Sequence, residues 1–284
     1  MLDHGAIDGF TRFLQRYEKL FVLTGAGIST ASGIPVYRDV NGDWTRPAPV
    51  QYRDFVDRQS TRQRYWARSL IGWPWFQQAD PNRGHAALAD WEHRGLISQL
   101  VTQNVDRLHQ RAGSIKVTDL HGRLDEVICL DCDAILARSQ VQEWLTGANH
   151  TFVDIVAERG PDGDAALEQA DVSGFTVPVC PACGGMLKPN VVFFGETIPR
   201  ERVDACIDTL YEADALLVIG SSLMVYSGFR FCRLAAEAGI PQAAINPGRT
   251  RADDLFQLKL NARFEDVLDA LDGPLTRALP AGLS

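Results

Sequence analysis

Short apolar runs recur along the chain, and each is followed at once by glycine or a polar residue. The runs are continuous rather than alternating, which is typical of strands buried on both faces of a sheet. They occupy residues 20–24, 96–102, 117–120, 191–194, 215–219 and 242–245. Helix-like spacing of apolar residues covers 85–94, 200–213 and 227–238. This alternation predicts an α/β fold: a doubly wound, parallel, Rossmann-like sheet with helices on both faces.

Two regions break the alternation and predict a smaller module beside the sheet. Residues 38–80 are rich in arginine, aromatic residues and proline, and we expect a helical insertion there. Residues 123–187 contain four cysteines and an acidic, glycine-rich stretch at 160–174, which we expect to be a surface loop. We expect residues 1–37, 81–122 and 188–273 to form the large part of a single domain of residues 1–284. The tail after Gly273 is expected to fray.

The composition narrows the range of partners. The chain has 36 acidic and 28 basic residues, a net charge of −8, which argues against non-specific binding to nucleic acid or anionic membrane. No segment approaches the roughly 18 continuous apolar residues of a membrane span. The first residues lack the basic and apolar blocks of a secretory signal. We therefore expect a cytoplasmic protein in a reducing compartment, with no membrane and no direct nucleic-acid partner.

The cysteines predict a metal site. Four of the six form two C-x-x-C pairs, Cys129 with Cys132 and Cys180 with Cys183. Two such pairs supply four thiolates for tetrahedral zinc, and four protein ligands leave no open position for catalysis. The pairs are separated by residues 133–179, a longer gap than a compact zinc ribbon has, so an insertion must lie between them. We therefore predict one structural Zn²⁺.

Glycines 25 and 27 follow the first predicted strand, in the sequence GAGIS. Such a turn can bring backbone N–H groups close to a pyrophosphate, although a plain tight turn explains it too. The full G-x-G-x-x-G pattern is missing, and so is an acidic residue about 20 residues further on. The chain instead enters residues 33–39, which are loop-like, so a hydride-transferring dehydrogenase is disfavoured.

Two further strand ends carry candidate chemistry. The sequence QNVD at 103–106 offers amide and carboxylate groups that can hold a ribose and a carboxamide, or cap a helix. His121 is either a structural histidine or a general base whose pKa lies in the working range. The chain lacks the G-x-S-x-G, Walker and H-E-x-x-H patterns. Serine hydrolysis, nucleotide hydrolysis and zinc-protease chemistry are therefore unsupported.

Taken together, these stretches resemble the sirtuin family. The match runs in order from about residue 21 to residue 264, and residues 62–76 and 258–263 look most like class II members. The matching motifs are GAGIS at 25–29, GIPVYRD at 33–39, TQNVD at 102–106, LHG at 120–122, the two C-x-x-C pairs, KPNVVFFGE at 188–196, GSSL at 220–223 and INPG at 245–248. Tyr37 and Lys188 depart from the Phe and Arg that many members carry, which puts a preference for acetyl groups in doubt.

The resemblance implies an NAD site across the strand ends. Its residues would be Gly25, Ala26, Gly27, Ile28, Ser29, Pro35, Tyr37, Arg38, Gln103, Asn104, Val105, Asp106, Gly220, Ser221, Ser222, Asn246, Pro247, Gly248 and Phe264. The first of these would cradle the pyrophosphate, and those from Gly220 onward would surround the adenosine half. Asp106 would accept a hydrogen bond from the nicotinamide carboxamide. Pro35, Tyr37 and Arg38 would belong to a mobile loop over the cofactor.

The implied reaction is NAD-dependent deacylation of lysine. The acyl oxygen of an acyl-lysine attacks the nicotinamide ribose, nicotinamide leaves, and His121 acts as general base, with Asn104 as the second catalytic residue. The products are free lysine, nicotinamide and an O-acyl-ADP-ribose. The peptide would add as a strand along the substrate-binding residues Val192, Phe193, Gly195, Glu196 and Leu223.

Tyr65 and Arg68 also resemble a Y-x-x-R pair that reads acidic acyl groups. A solvated helix face is the competing explanation. We expect acyl-lysine proteins or peptides as partners, and a monomer.

Three other functions remain open on the sequence. The same site could transfer ADP-ribose to proteins, or the chain could be a non-catalytic NAD sensor. His121, Asn104 and Asp106 together argue against the sensor. A dehydrogenase would need the missing ribose-binding acid and leaves the four cysteines unexplained. The sequence therefore favours a deacylase that uses NAD and carries zinc.

Overall fold

The computed structural model describes residues 3–45, 49–153, 155, 160, 163, 167 and 170–271. Much of the acidic stretch at 160–174 and the tail after Gly273 lie outside these residues, so both expectations stay predictions. The helices are α1 (His4–Arg16), α2 (Tyr52–Asp57), α3 (Gln59–Gln77), α4 (Arg83–His93), α5 (Leu108–Arg111), α6 (Arg138–Ala148), α7 (Arg200–Tyr211), α8 (Tyr226–Glu237) and α9 (Phe264–Leu271). The strands are β1 (Leu20–Thr24), β2 (Ile97–Thr102), β3 (Val117–Asp119), β4 (Gly122–Cys129), β5 (Ile135–Ala137), β6 (Leu187–Val191), β7 (Ala215–Ile219), β8 (Gln242–Ile245) and β9 (Leu258–Leu260).

Six parallel strands form the main sheet, in the order β3-β2-β1-β7-β8-β9. The order reverses between β1 and β7, and every residue of these two strands is buried. Ligands of open parallel sheets bind outside the carboxyl ends of the strands at such a reversal. The parallel sheet predicted from the apolar runs is confirmed, and its topology places a crevice next to Gly25 and Gly220.

The two faces of the sheet bury separate cores because alternate residues of a strand point to opposite sides. In β1, Leu20 and Val22 pack with residues of α1, α4 and α9. Phe21 and Leu23 pack with residues of α7 and α8 on the other face. Cys206 and Cys232 are buried in that second core, as their apolar surroundings suggest.

A second, smaller sheet is antiparallel and has the order β5-β4-β6. Its core also contains residues of α2, α3 and α6, so part of the region 38–80 is indeed helical. The sheets meet directly after His121, where Gly122 at the start of β4 pairs with Val191 at the end of β6. The division of the chain into a large and a small part remains a prediction.

The strand predicted at 191–194 is wrong. The structure has β6 at Leu187–Val191, and the chain then turns. The turn forms because a carboxylate oxygen of Glu196 accepts hydrogen bonds from the Phe193 N–H at 2.8 Å and from the Lys188 ammonium at 3.0 Å. The apolar run thus combines the end of a strand with a loop held by a partly buried ion pair.

Local capping explains another boundary. The helix predicted from residue 85 begins at Arg83, because the Asn82 side chain accepts from the N–H groups of Gly84 and His85. Among the described residues, no helix combines the length and the apolar character needed to cross a membrane.

Candidate active site

The carboxyl ends of the parallel strands open into one cavity of about 630 Å³. This volume lies within the usual range of small-molecule sites. Of the residues predicted to bind cofactor or substrate, the lining includes Gly25, Ala26, Gly27, Ile28, Tyr37, Arg38, Tyr65, Arg68, Gln103, Asn104, Val105, His121, Val192, Phe193, Gly220, Ser221, Ser222, Leu223, Asn246, Pro247 and Phe264. The structure therefore brings most of the predicted residues to a single space, although they come from distant parts of the chain.

The remaining predicted residues do not line the cavity. They are Ser29, Pro35, Asp106, Gly195, Glu196 and Gly248. Ser29 and Asp106 lie behind the wall, in a hydrogen-bonded network. Gly195 and Glu196 belong to the turn after β6. Gly248 supports the loop that covers the cavity, since a Cβ there would lie 2.2 Å from the Val40 carbonyl oxygen.

The glycines after β1 are required by a neighbouring turn of the protein. A Cβ on Gly27 would lie 2.7 Å from the Gly220 Cα, and one on Gly25 would lie 2.9 Å from the Gly220 carbonyl oxygen. The N–H groups of Gly25, Gly27 and Ile28 donate to protein carbonyls. These three N–H groups have protein acceptors in this structure, and the role of the turn in holding a pyrophosphate stays a prediction. The close contact of Gly25 and Gly27 with Gly220 brings the ends of β1 and β7 together on one wall of the cavity.

Asn104 occupies the centre of the cavity floor, and the protein determines how its amide points. The amide nitrogen donates to the Gly25 carbonyl at 3.2 Å and to Ser29 Oγ at 3.0 Å. Because a carbonyl can only accept, the nitrogen must face Gly25. The amide oxygen is then left to accept a hydrogen bond from a ligand in the cavity.

Both carboxylate oxygens of Asp106 accept hydrogen bonds from other groups of the protein. One accepts from the Leu108 N–H at 3.0 Å, at the start of α5, and the other accepts from Ser29 Oγ at 2.7 Å. Burial raises the pKa of Asp106, against these bonds. The sequence allowed Asp106 either to cap a helix or to bind the carboxamide. The bond from the Leu108 N–H, at the start of α5, agrees with the first role, and the second stays a prediction.

Two further histidines lie under the floor, and the sequence did not single them out. His85 and His109 are buried, with ring centres 4.8 Å apart. Burial lowers the pKa of His85 to about 4, and the pKa of His109 lies well below its ordinary value. His85 accepts from the Asn82 N–H, and its other nitrogen lies 3.5 Å from Ser29 Oγ. Both rings are therefore neutral parts of the network that holds Asn104.

His121 lies on the cavity wall between the two sheets. Its Nδ1 is 2.9 Å from the Gln103 carbonyl oxygen and its Nε2 is 2.8 Å from Ser227 Oγ. Burial lowers the pKa of His121 to about 4, and Arg202 and Arg230 lower it further, against the Gln103 hydrogen bond. The ring is neutral near pH 7. The Gln103 carbonyl needs a donor, so Nδ1 carries the proton and Nε2 is the basic nitrogen.

A loop between Gly33 and Thr45 covers the cavity from above. The Arg38 guanidinium stacks 3.8 Å from the Trp44 ring centre and donates to the Gly42 carbonyl at 2.7 Å. The Val40 carbonyl accepts from the Arg249 N–H at 2.8 Å, which joins the loop to the turn after β8. The predicted mobility of this loop is untested, but its position over the strand ends fits a cover for a ligand.

The predicted peptide-binding residues Val192, Phe193 and Leu223 line the cavity, and the strand edge expected there stays a prediction. The N–H groups of Val192 and Phe193 already donate, to the His121 carbonyl at 2.7 Å and to Glu196 at 2.8 Å. On the other side, Leu223 is buried and has a positive φ of 57°. A backbone angle of this kind in a leucine is uncommon and is typical of a constrained site.

Tyr65 and Arg68 of α3 line the same cavity as His121. Tyr65 is only 6% exposed and packs edge-on against Phe55, with their ring centres 5.4 Å apart. Its ring centre lies 5.3 Å from that of Phe193, which belongs to the predicted peptide site. A purely solvated helix face is therefore excluded for Tyr65, whereas a role in binding the acyl group stays a prediction.

The four cysteines of the two pairs come together beside the small sheet. Their sulfur atoms all lie within 4.8 Å of one another, with Cys129 Sγ 3.5 Å from Cys183 Sγ and Cys132 Sγ 3.8 Å from Cys180 Sγ. Tetrahedral zinc with bonds of about 2.3 Å would separate its sulfurs by about 3.8 Å. The donor set and its spacing therefore fit a structural zinc ion.

Comparison with known proteins agrees with this architecture. A model of the Sir2 family matches residues 25–227. An NAD-dependent protein deacetylase of Xanthomonas campestris pv. campestris (strain 8004) is 56% identical over 262 residues, 92% of this chain and 89% of the relative. The human mitochondrial NAD-dependent protein lipoamidase sirtuin-4 is 47% identical over 274 residues, 95% of this chain and 87% of the relative.

A solved structure of Sir2 with a p53 peptide and NAD+ has a TM-score of 0.76 at 30% identity. The match covers 95% of this chain and 99% of that one. The chain belongs to the Sir2 family. The identification made from the ordered motifs is confirmed, and the likeness to human sirtuin-4 is consistent with class II. The expected parallel sheet with a four-cysteine module is confirmed too.

Proposed function

We propose that this protein is an NAD-dependent protein-lysine deacylase. The observation that carries the proposal is the pairing of His121 and Asn104 on one cavity. A neutral imidazole offers a basic nitrogen, and an amide oxygen turned away from the protein offers an acceptor. Family membership supports the same activity. We assign the activated carbon to the co-substrate, NAD.

The volume of the cavity and the residues that line it support binding of a dinucleotide. The turns at residues 25–28, 220–222 and 246–247 form one wall, and Phe264 lies among them. When bound there, NAD supplies a bond between nicotinamide and ribose whose cleavage can drive acyl transfer. Asn104 would orient the ribose through its amide oxygen. The loop over the strand ends, with Tyr37 and Arg38, would exclude water from the reacting carbon.

His121 would act as the general base on a ribose hydroxyl. The Gln103 carbonyl keeps the proton on Nδ1, so that the proton taken from substrate arrives at Nε2. With a pKa of about 4 the ring stays unprotonated through the neutral range, at the cost of a weaker base. The His121 ring would therefore contribute mainly by being correctly positioned and neutral when the ribose hydroxyl loses its proton.

The substrate would be an acyl-lysine in an extended peptide, lying between Val192–Phe193 and Leu223. The acyl chain would reach toward Tyr65 and Arg68, which line the cavity from α3. A guanidinium can pair with a distal carboxylate in two parallel hydrogen bonds. We therefore propose acidic acyl groups, such as succinyl or glutaryl, as preferred over acetyl.

The decisive experiment measures nicotinamide release from NAD with peptides carrying acetyl, succinyl, glutaryl, 3-hydroxy-3-methylglutaryl or lipoyl lysine. Mass spectrometry of the peptide and of the O-acyl-ADP-ribose follows the transfer. Loss of a general base typically costs 10² to 10⁴ in rate, so His121→Ala should lower product formation by about that factor. No release by the wild-type protein with any peptide, despite measurable NAD binding, would contradict the deacylase function.

The acyl preference is tested separately with Arg68→Ala and a matched control. Arg53→Ala removes an arginine of the same insertion whose side chain is 92% exposed and pairs with Asp57. We expect Arg68→Ala to abolish the preference for acidic over acetyl peptides, and Arg53→Ala to keep it. Equal loss of activity on acetyl and acidic peptides in Arg68→Ala would refute the acyl pocket and leave the deacylase function intact.

A further inference from the structure

The first turn of α8 contacts the imidazole of His121 from the side opposite Gln103. Ser227 is 9% exposed, and its Oγ lies 2.8 Å from Nε2. Ser227 does not line the cavity, and the sequence motifs missed it because its contact is made across 106 positions of the chain. Both ring nitrogens of His121 are thus in hydrogen bonds: Nδ1 with Gln103, directly after β2, and Nε2 with Ser227, in the first turn of α8.

The direction of the serine bond follows from the other one. Since the Gln103 carbonyl holds the proton on Nδ1, Nε2 has a lone pair and Ser227 must donate to it. Within the described part of the chain, no other acceptor lies within hydrogen-bonding distance of the Ser227 hydroxyl. If Nε2 took a proton, this nearly buried hydroxyl would lose its acceptor. Ser227 therefore favours the neutral ring.

The neighbouring glycine shows that α8 is placed close to this pair. A Cβ on Gly228 would lie 2.5 Å from Gln103 Oε1, so only glycine lets the helix approach so near. The Gln103 amide is held in turn by the Thr24 carbonyl at 3.2 Å and by Ser221 Oγ at 2.8 Å. Two successive residues of one helical turn thus contact the histidine and the residue that orients it.

We propose that Ser227 is a positioning residue for His121: in the resting site its hydroxyl donates to Nε2 and fixes the orientation of the ring, and it yields this lone pair to the ribose hydroxyl when the base acts. The role rests on the deacylase function proposed above. Arg202 of α7 and Arg230 of α8 are the charged groups that face the ring, and both oppose its protonation. Ser227 adds to their effect because its own hydroxyl proton has Nε2 as an acceptor only when the ring is neutral; a charged ring would instead donate to Oγ and leave that proton without an acceptor.

The first test reads His121 directly by NMR, with the six histidines of the chain labelled with ¹⁵N. His121→Asn assigns the signal. Ser227→Ala should raise the pKa of His121 from about 4, because the neutral ring loses its donor. Ser227→Thr keeps a hydroxyl and should titrate like the wild type. The matched control is Ser98→Ala, which removes a part-buried serine hydroxyl that donates to the Leu20 carbonyl.

The second test follows product formation against pH. Ser227→Ala should lower kcat by about tenfold near pH 7.5, the equivalent of one hydrogen bond, with KM for NAD little changed. Its acidic limb should move to higher pH, and Ser227→Thr should recover both. If Ser227→Ala fails to fold, Ser227→Cys, a close match in shape and a weak donor, takes its place.

The two readouts separate the two proposals. An unchanged pKa of His121 in Ser227→Ala overturns the positioning role, and so does a kcat loss that Ser227→Thr does not recover. An inactive wild-type protein in which the NMR titration still responds to Ser227 would instead contradict the deacylase function.

Discussion

The two sheets of this protein are stabilised in different ways. In the parallel sheet, β1 and β7 are buried over their whole length and lie between two apolar cores. In the antiparallel sheet, the burial of β4 alternates and the two ends of β5 are exposed. Four cysteines lie at the end of this sheet, and a metal ion bound by them would add stability that apolar burial does not provide there. The first sheet is held by apolar burial, whereas we expect the second to depend in part on a metal bound by the four cysteines.

The comparison also explains the position of the active site. His121 is the last residue before the chain leaves the parallel sheet, and Gly122 already pairs with β6. His121 thus follows the parallel sheet directly, while Tyr65 and Phe193 pack in the core of the small part. If the proposed roles hold, the general base and the acyl-binding residues come from different parts of the molecule.

The largest expected effect comes from removing one zinc ligand. Structural zinc contributes on the order of 10 kcal/mol or more of binding energy, which in small modules is folding energy. Cys180→Ser should lower bound zinc far below about one ion per chain and expose the amides of β4 and β6 to hydrogen exchange. The amides of β1 and β7 should stay protected. Metal analysis and hydrogen exchange with mass spectrometry measure both.

The control for this variant is Cys206→Ser, which changes a buried cysteine of the parallel-sheet core outside the cluster. It should keep its zinc, whatever it loses in stability. Equal loss of protection in both sheets of Cys180→Ser would show that the small sheet is not an independent metal-dependent unit.

A matched pair of core truncations sharpens the contrast. Leu217 of β7 and Leu187 of β6 are both completely buried, one in each sheet. Leu217→Ala should cost about 2–5 kcal/mol of unfolding free energy, as buried leucines do, without changing zinc release to a chelator. Leu187→Ala should speed zinc release. Chemical denaturation and a chelator assay measure the two effects, and the reverse pattern would contradict the division of roles.

The difference between the two sheets also explains which strands could be predicted from the sequence. Continuous apolar runs identify doubly buried strands, so β1, β7 and β8 were found with their observed bounds. The strands of the small sheet show no comparable runs, because they are partly exposed and the cysteines replace apolar contacts. The error at 191–194 has the same origin. Its apolar residues end one strand and begin a loop whose turn depends on Glu196, a contact no periodicity reveals.

The site was predictable where short motifs follow a strand. Asn104 and His121 were identified because polar residues at strand ends converge in a parallel sheet, and the four cysteines because their C-x-x-C spacing is typical of zinc ligands. Ser227, His85 and His109 were missed because their roles depend on contacts between distant elements. Gly25 and Gly27 were identified from their motif, but their close contact with Gly220 could not be predicted because Gly220 is remote in sequence.

The junction of the two sheets gives the next prediction. Gly122 has a φ of 81°, and a Cβ there would lie 2.2 Å from the Asn190 carbonyl oxygen. Gly122→Ala should cost about 3 kcal/mol, the sum of a left-handed backbone and an overpacked contact, and should displace His121. The control is Gly113→Ala, with a φ of 106° and nothing within 4 Å. Thermal unfolding should show the larger loss for Gly122→Ala, and equal losses would refute a specific contact between the sheets.

The smallest expected effect is a pH dependence confined to the parallel sheet. The pKa of buried His85 is about 4 when folded and about 6.5 when unfolded. Between these values the unfolded chain binds more protons, so stability falls as the pH drops through this window. From pH 7 to pH 5 His85 should account for about 2 kcal/mol of that fall.

His85→Gln tests this without removing the cap, because glutamine can still accept from the Asn82 N–H. The variant should lose less stability than the wild type between pH 7 and pH 5. His93→Gln, at an exposed position of the same helix, should behave like the wild type. Asp106 and Asp119, whose pKa values burial raises, act in the opposite direction, but they are common to all three proteins and cancel in the difference. Parallel curves for His85→Gln and wild type would mean that the ring under the cavity floor is already protonated or exposed, and the network holding Asn104 would need another explanation.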